Sequence, residues 1–117
     1  MPALIVVGNV LAALASAGFA MVALTAPARL TGGEVTASVR YYSQMFAARS
    51  LPIAAAVVVA MAVNPNTAAV IVILAVAGVS QVGDVVIGIA TKTAGMVAGA
   101  GICALIHLVS VVHLAVT

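Results

Sequence analysis

The chain has 117 residues, 66% hydrophobic and 5% charged, with four basic and two acidic side chains and a formal net charge of +2. A soluble domain carries charge on about a quarter of its residues, so this composition excludes one and makes the lipid bilayer the main partner. The basic residues are scattered with no patch, which excludes nucleic-acid binding, and the lone Cys103 excludes an intrachain disulfide or a CxxC-type site.

Four apolar stretches each reach the roughly 20 residues that cross a hydrocarbon core. The first, about residues 3–26, ends at Pro27. It lacks a basic leading region and its apolar run is too long for a signal peptide, so it reads as a retained membrane helix. The second, about 37–63, is closed by Asn64-Pro65-Asn66. The third, about 67–90, is capped by Asn66 or Thr67, and the fourth runs over about 93–117. Strands are excluded because open sheet edges cannot be left in lipid and so few strands cannot close a barrel. The expected fold is all-α, a single domain over 1–117 forming an antiparallel four-helix transmembrane bundle.

Four spans put both termini on one side. Arg29, Arg40 and Lys92 lie in the loops of the other side, and the positive-inside rule then sets those loops in the cytoplasm and both termini outside. Small residues recur at close-packing intervals: Gly95 and Gly99 in the fourth span, and Ala13, Ala17, Ser16 and Gly18 in the first. This spacing suits tight packing inside the bundle, with a homodimer or a partner membrane subunit as the other use.

The polar residues fall into two layers. Asp84 lies about six residues from the cytoplasmic end of the third span, roughly 9 Å in at 1.5 Å per residue. Arg49 lies about fourteen residues from the outer end of the second, which leaves roughly 9 Å to the cytoplasmic side of a ~30 Å core. Opposite charges at one depth can pair, and the pairing explains why a carboxylate is tolerated in so apolar a segment. Helical spacing puts Ala77, Ser80 or Gln81, Asp84 and Gly88 on one face, and Tyr42, Met45, Arg49 and Pro52 on another. On the fourth span Gly95, Gly99, Cys103 and His107 form a ridge, with Ser110 nearby. His107 shares a deeper layer with Asn9.

Ionisable groups inside a membrane mark functional sites by default. Asp84, His107 and Arg49 are therefore the candidate catalytic groups. Asn9, Tyr42, Gln81 and Cys103 are the candidate lining of a cavity for a lipophilic small molecule, expected between the Arg49–Asp84 layer and His107. The competing reading is a polar network that only fixes helix register. No metal site is indicated: His107 and His113, six apart on one helix, face different directions, and no HExxH-like spacing occurs. No cofactor signature is present. A Ser-His-Asp arrangement with Ser80 or Ser110 lacks a nucleophile elbow.

The stretches FAARSLPIA with Arg49, QVGDVVIGIA with Asp84 and ICALIHLVSV with His107 resemble the small DoxX-like four-helix membrane proteins of bacteria. A branch of that family carries an arginine motif on its second helix, an aspartate on the third and a histidine on the fourth. Two positions depart from the pattern: Ala47 stands where glycine is usual, and Ser50 replaces the acidic or amide residue after the arginine, which leaves Asp84 as the counter-ion for Arg49. The resemblance implies a bundle in the bacterial inner membrane. Two functions follow as expectations. One is an intramembrane site for a lipophilic substrate of polyketide, terpenoid or quinone-like type, working as an acid–base isomerase or cyclase. The other is a non-catalytic accessory subunit of a membrane redox or transport complex.

Overall fold

The computed structural model describes residues 1–117, except for the side chain of Thr31. Helix α1 covers Ala3–Thr25, α2 Ala28–Thr31, α3 Ala37–Val63, α4 Thr67–Ala90 and α5 Ala94–Val116. The protein is all-α, and α1, α3, α4 and α5 are each long and apolar enough to cross a membrane. The single turn α2 is an addition to the four predicted spans.

The helix ends follow local chemistry. Pro27 cannot continue α1, and α2 closes on Gly32, whose φ of 69° is costly for residues with a Cβ. The Thr36 and Asn66 side chains accept from the N–H groups of Val39 and Ala69, capping α3 and α4. At the end of α4, Lys92 takes a left-handed φ of 57°. Thr93 N–H then reaches the Gly88 carbonyl at 2.8 Å and Lys92 N–H the Ile89 carbonyl at 3.3 Å. These paired bonds satisfy carbonyls that the helix end would otherwise leave open, and they turn the chain at once into α5.

Around the ring, α1 neighbours α3, α3 neighbours α4, α4 neighbours α5, and α5 returns to α1. The closest pairings are α1 with α3 and α4 with α5. Sequence positions run in opposite senses across the interfaces: Gly78 faces Leu108 and Gly88 faces Val97, while Asn9 meets Ser110 and Ser16 meets Cys103. The bundle is therefore antiparallel. Its long axis of 47 Å suits a bilayer of ~40–45 Å including headgroups, and the four helices make it a multi-pass membrane protein.

Each helix buries a narrow stripe at three- and four-residue intervals. On α1 the stripe is Asn9, Ala12, Ala13, Ala20 and Ala23; on α3 it is Ala47, Ser50, Ala54, Val57, Ala60 and Met61. On α4 it is Val70, Leu74, Ala77, Gly78, Asp84 and Gly88, and on α5 Ala100, Cys103, Ala104, His107 and Ser110. The stripes are built of small side chains, whereas Leu4, Leu11, Val79, Ile89 and Leu105 point outward. Lipid tails are as apolar as leucine, so the inside is chosen by fit rather than by hydrophobicity.

The glycines that permit the closest approach are Gly78 and Gly88. A Cβ at Gly88 would stand 2.9 Å from Val97 Cγ2 and 3.2 Å from its backbone nitrogen, and one at Gly78 would meet Leu108 at 2.5 Å. The Gly95/Gly99 pair does not play this part. Gly95 has open space around it, and Gly99 lies under the Phe19 ring, 3.3 Å from where its Cβ would be.

Candidate functional site

Arg49 sits one residue before Ser50 in the buried stripe of α3, so its Cα lies on the flank of the core face. Its long side chain crosses to α4, where Nη2 donates to Asp84 Oδ1 at 2.6 Å and Nη1 donates to the Ser80 hydroxyl. The guanidinium also lies over the Phe46 ring, 5.5 Å from its centroid, a cation–π contact from within α3. Asp84 and Ser80 are one turn apart on α4, so one face of that helix offers both acceptors.

The pair lies on the wall of a cleft, a shallow and largely open groove of about 650 Å³ between α3 and α4, lined further by Ile53, Val76, Val79, Gly83 and Ile87. Gly83 has no side chain to close it, and the cleft opens on the outer surface of the bundle. The Asp84 side chain is 6% exposed and that of Arg49 is 39% exposed. A guanidinium carries five N–H groups. Two are used by Ser80 and Asp84; among the described residues nothing accepts from the rest, and nothing donates to Asp84 Oδ2. The cleft thus joins aliphatic walls to a net-neutral ion pair with spare donors and a spare carboxylate oxygen.

A second polar group lies deeper. Asn9, fully buried, donates from Nδ2 to the Ile5 carbonyl and to Ser110 Oγ, both at 2.8 Å, and its Oδ1 is 2.7 Å from His107 Nδ1. Ser110 passes its own hydrogen to the Ile106 carbonyl at 2.7 Å. Gln81 and Cys103 are joined through Ser16: Gln81 Nε2 donates to Ser16 Oγ at 2.5 Å, Ser16 to Cys103 Sγ at 3.8 Å, and Cys103 to the Ala12 carbonyl at 3.6 Å.

Two expectations about the site need correction. The space between the Arg49–Asp84 layer and His107 is a cavity of only about 10 Å³, too small for a lipophilic ligand. The small ridge of α5 leaves no larger void because Phe19 covers Gly99, and Cys103 packs onto the α1 backbone. Tyr42 lies apart from both polar groups: it is exposed and packs edge-on against Tyr41, ring centroids 5.8 Å apart. Arg49 and Asp84 therefore share the ligand-sized cleft, while His107, Asn9, Gln81 and Cys103 belong to the buried networks. The sequence offers Ser80 and Ser110 as partners of His107 and Asp84, whereas in the structure Ser80 accepts from Arg49 and Ser110 from Asn9. Ser16 and Ser50 look like small packing residues, and nothing in the sequence ties Ser16 to Gln81. Among the described residues no three His, Cys, Asp or Glu side chains gather as metal ligands.

Comparison of the chain with protein-family models, with curated proteins and with solved structures gives no significant match.

Proposed function

We propose that this protein binds a lipophilic small molecule in the lateral cleft between α3 and α4, with Arg49 as the anchor for the ligand's polar atom. The observation that supports this reading is an ion pair with unused hydrogen-bonding capacity, set in the wall of a ligand-sized, otherwise aliphatic cleft. Small-molecule sites combine an apolar wall with a few placed polar groups in this way. Unpartnered donors in lipid are costly, and a ligand oxygen accepting from Arg49 offsets that cost.

The same two residues suit acid–base isomerisation or cyclisation of such a ligand. A carbonyl oxygen held by Arg49 would have its developing negative charge stabilised there. Asp84 Oδ2 would take the proton from the neighbouring carbon and return it at a second position. His107 lies outside the cleft and has no direct part in this chemistry. We assign the protein to the bacterial inner membrane with both termini outside, in line with the DoxX-like resemblance and with the placement of Arg29 in α2, Arg40 near the start of α3 and Lys92 between α4 and α5. A reporter active only outside the cytoplasm should then work when fused after Thr117 and be silent when inserted after Gly32; the reverse pattern would invert the topology.

Mass spectrometry of organic extracts tests the binding. Wild type and the Arg49→Gln/Asp84→Asn double variant, purified in one detergent, should differ by a lipophile present in near-stoichiometric amount with wild type only. Identical extracts would remove the reading and favour an accessory subunit whose cleft receives a partner's helix.

A further inference from the structure

Inside the bundle, separate from the cleft, the cavity of about 10 Å³ is bordered by five polar side chains, Ser16, Ser50, Ser80, Gln81 and His107, in an otherwise alanine and aliphatic wall. The smallest cavity that holds a water offers its centre roughly 10–15 Å³, and the water needs two to four polar partners.

The hydrogen-bond directions around the cavity can be worked out. The Ile5 carbonyl can only accept, so the end of Asn9 facing it is the amide NH₂. Asn9 Oδ1 therefore faces His107, and Nδ1 of the ring must carry the proton of that 2.7 Å bond. In the uncharged ring the other nitrogen, Nε2, is then an acceptor. This proton placement follows from the network of partners. Among the described residues nothing donates to Nε2, and the Ser50 hydroxyl also has no protein partner. Among the described residues no side-chain nitrogen or oxygen is both sealed off and unpartnered, so with His107 1% and Ser50 6% exposed these two atoms face the small cavity that both residues border. Ser80 accepts from Arg49 and still has its own hydrogen to give.

We infer that this cavity is a binding site for one water molecule, which donates to Nε2 of His107 and accepts from Ser50 and Ser80. Ser80 borders both the cavity and the cleft, so the water joins the two polar layers. Every bond then points one way: Arg49 donates to Ser80, Ser80 to the water, the water to His107, His107 to Asn9, Asn9 to Ser110, and Ser110 to the Ile106 carbonyl. A chain with all donors aligned polarises each of its members. It starts on the cation in the cleft wall, so His107 is wired to the cleft without touching it. The water site stands on the core geometry alone and does not depend on what occupies the cleft.

Nitrogen NMR on the full chain in lipid nanodiscs tests it, with ring-labelled histidine and His113→Gln, an exposed position, to leave one signal. Above neutral pH, His107 should show Nδ1 protonated and Nε2 unprotonated, with a magnetisation-transfer peak from water to the ring hydrogens. Ser50→Val, which fills the cavity and removes a donor, should abolish the water peak while the Nδ1 proton stays. A protonated Nε2, or no water contact in the folded wild type, overturns the site whether or not the variant folds. A water peak of full strength in folded Ser50→Val would place the water elsewhere and equally overturn it.

Discussion

Arg49→Gln is expected to destabilise the folded bundle by about 3–5 kcal/mol, the usual cost of stranding one member of a buried ion pair. The loss falls on Asp84, whose side chain is 6% exposed and, among the described residues, forms an ion pair with Arg49 alone. Asp84→Asn should cost less. The Arg49 side chain is 39% exposed and can swing its guanidinium along the cleft toward the nearer interface. The double variant should be more stable than Arg49→Gln alone, because it leaves no unpaired charge. Cys103 provides the readout. It is the only thiol in the chain and is buried, so a thiol-reactive dye reports unfolding in detergent. Strictly additive losses would contradict the pairing.

Asn9→Ala should be the second most damaging change, at about 2–3 kcal/mol, because it removes the acceptor for His107 and leaves a buried N–H without a partner. Ser110 still donates to the Ile106 carbonyl and suffers less. The stranded ring carries the cost, so Asn9→Leu combined with His107→Phe, which makes the site apolar throughout, should recover part of the stability lost in Asn9→Leu alone. The same dye assay separates these variants. A double variant that loses the sum of both changes would mean that the two side chains do not depend on each other.

Much of the architecture was legible because so few residues are polar. Counting 1.5 Å per residue put Arg49 and Asp84 at one depth, and the two groups meet at 2.6 Å. The same count put His107 beside Asn9, which it contacts at 2.7 Å. What could not be read was which face of each helix turns inward. In a soluble helix the apolar side announces itself, but here both sides are apolar. On α3 the buried stripe runs through Ala47, Ser50, Ala54 and Val57: Ser50 is one position on from Arg49, and Ala47 and Ala54 are two on from Met45 and Pro52. At about 100° per residue, the stripe is turned by about 140° from the face of Tyr42, Met45, Arg49 and Pro52. That rotation sends Tyr42 outward, leaves Arg49 on the flank, and opens the ligand-sized space sideways between α3 and α4 instead of centrally.

Voids were also beyond the sequence, because free space depends on what a neighbour contributes. Gly99 looks like room for a ligand until the Phe19 ring of α1 covers it. The GxxxG spacing of Gly95 and Gly99 carries no face information, whereas Gly78 and Gly88, ten apart and without a motif, admit α5 most closely. Ser16 was hidden for a related reason. In a membrane helix a serine reads as a small packing residue, and only its partners reveal what its hydroxyl links, as that of Ser16 links Gln81 to Cys103.

The measurement that bears most directly on the lateral cleft is photo-crosslinking from inside it. Val79 and Val112 have similar exposure, 65% and 63%, but only Val79 lines the cleft. A photoreactive amino acid placed at either position samples the membrane from the same kind of surface. Illumination in cells should give a discrete small-molecule adduct at Val79, absent at Val112 and lost at Val79 when Arg49→Gln/Asp84→Asn is introduced. The same mixture of bulk-lipid adducts at both positions, unchanged by the double substitution, would contradict a binding site between α3 and α4.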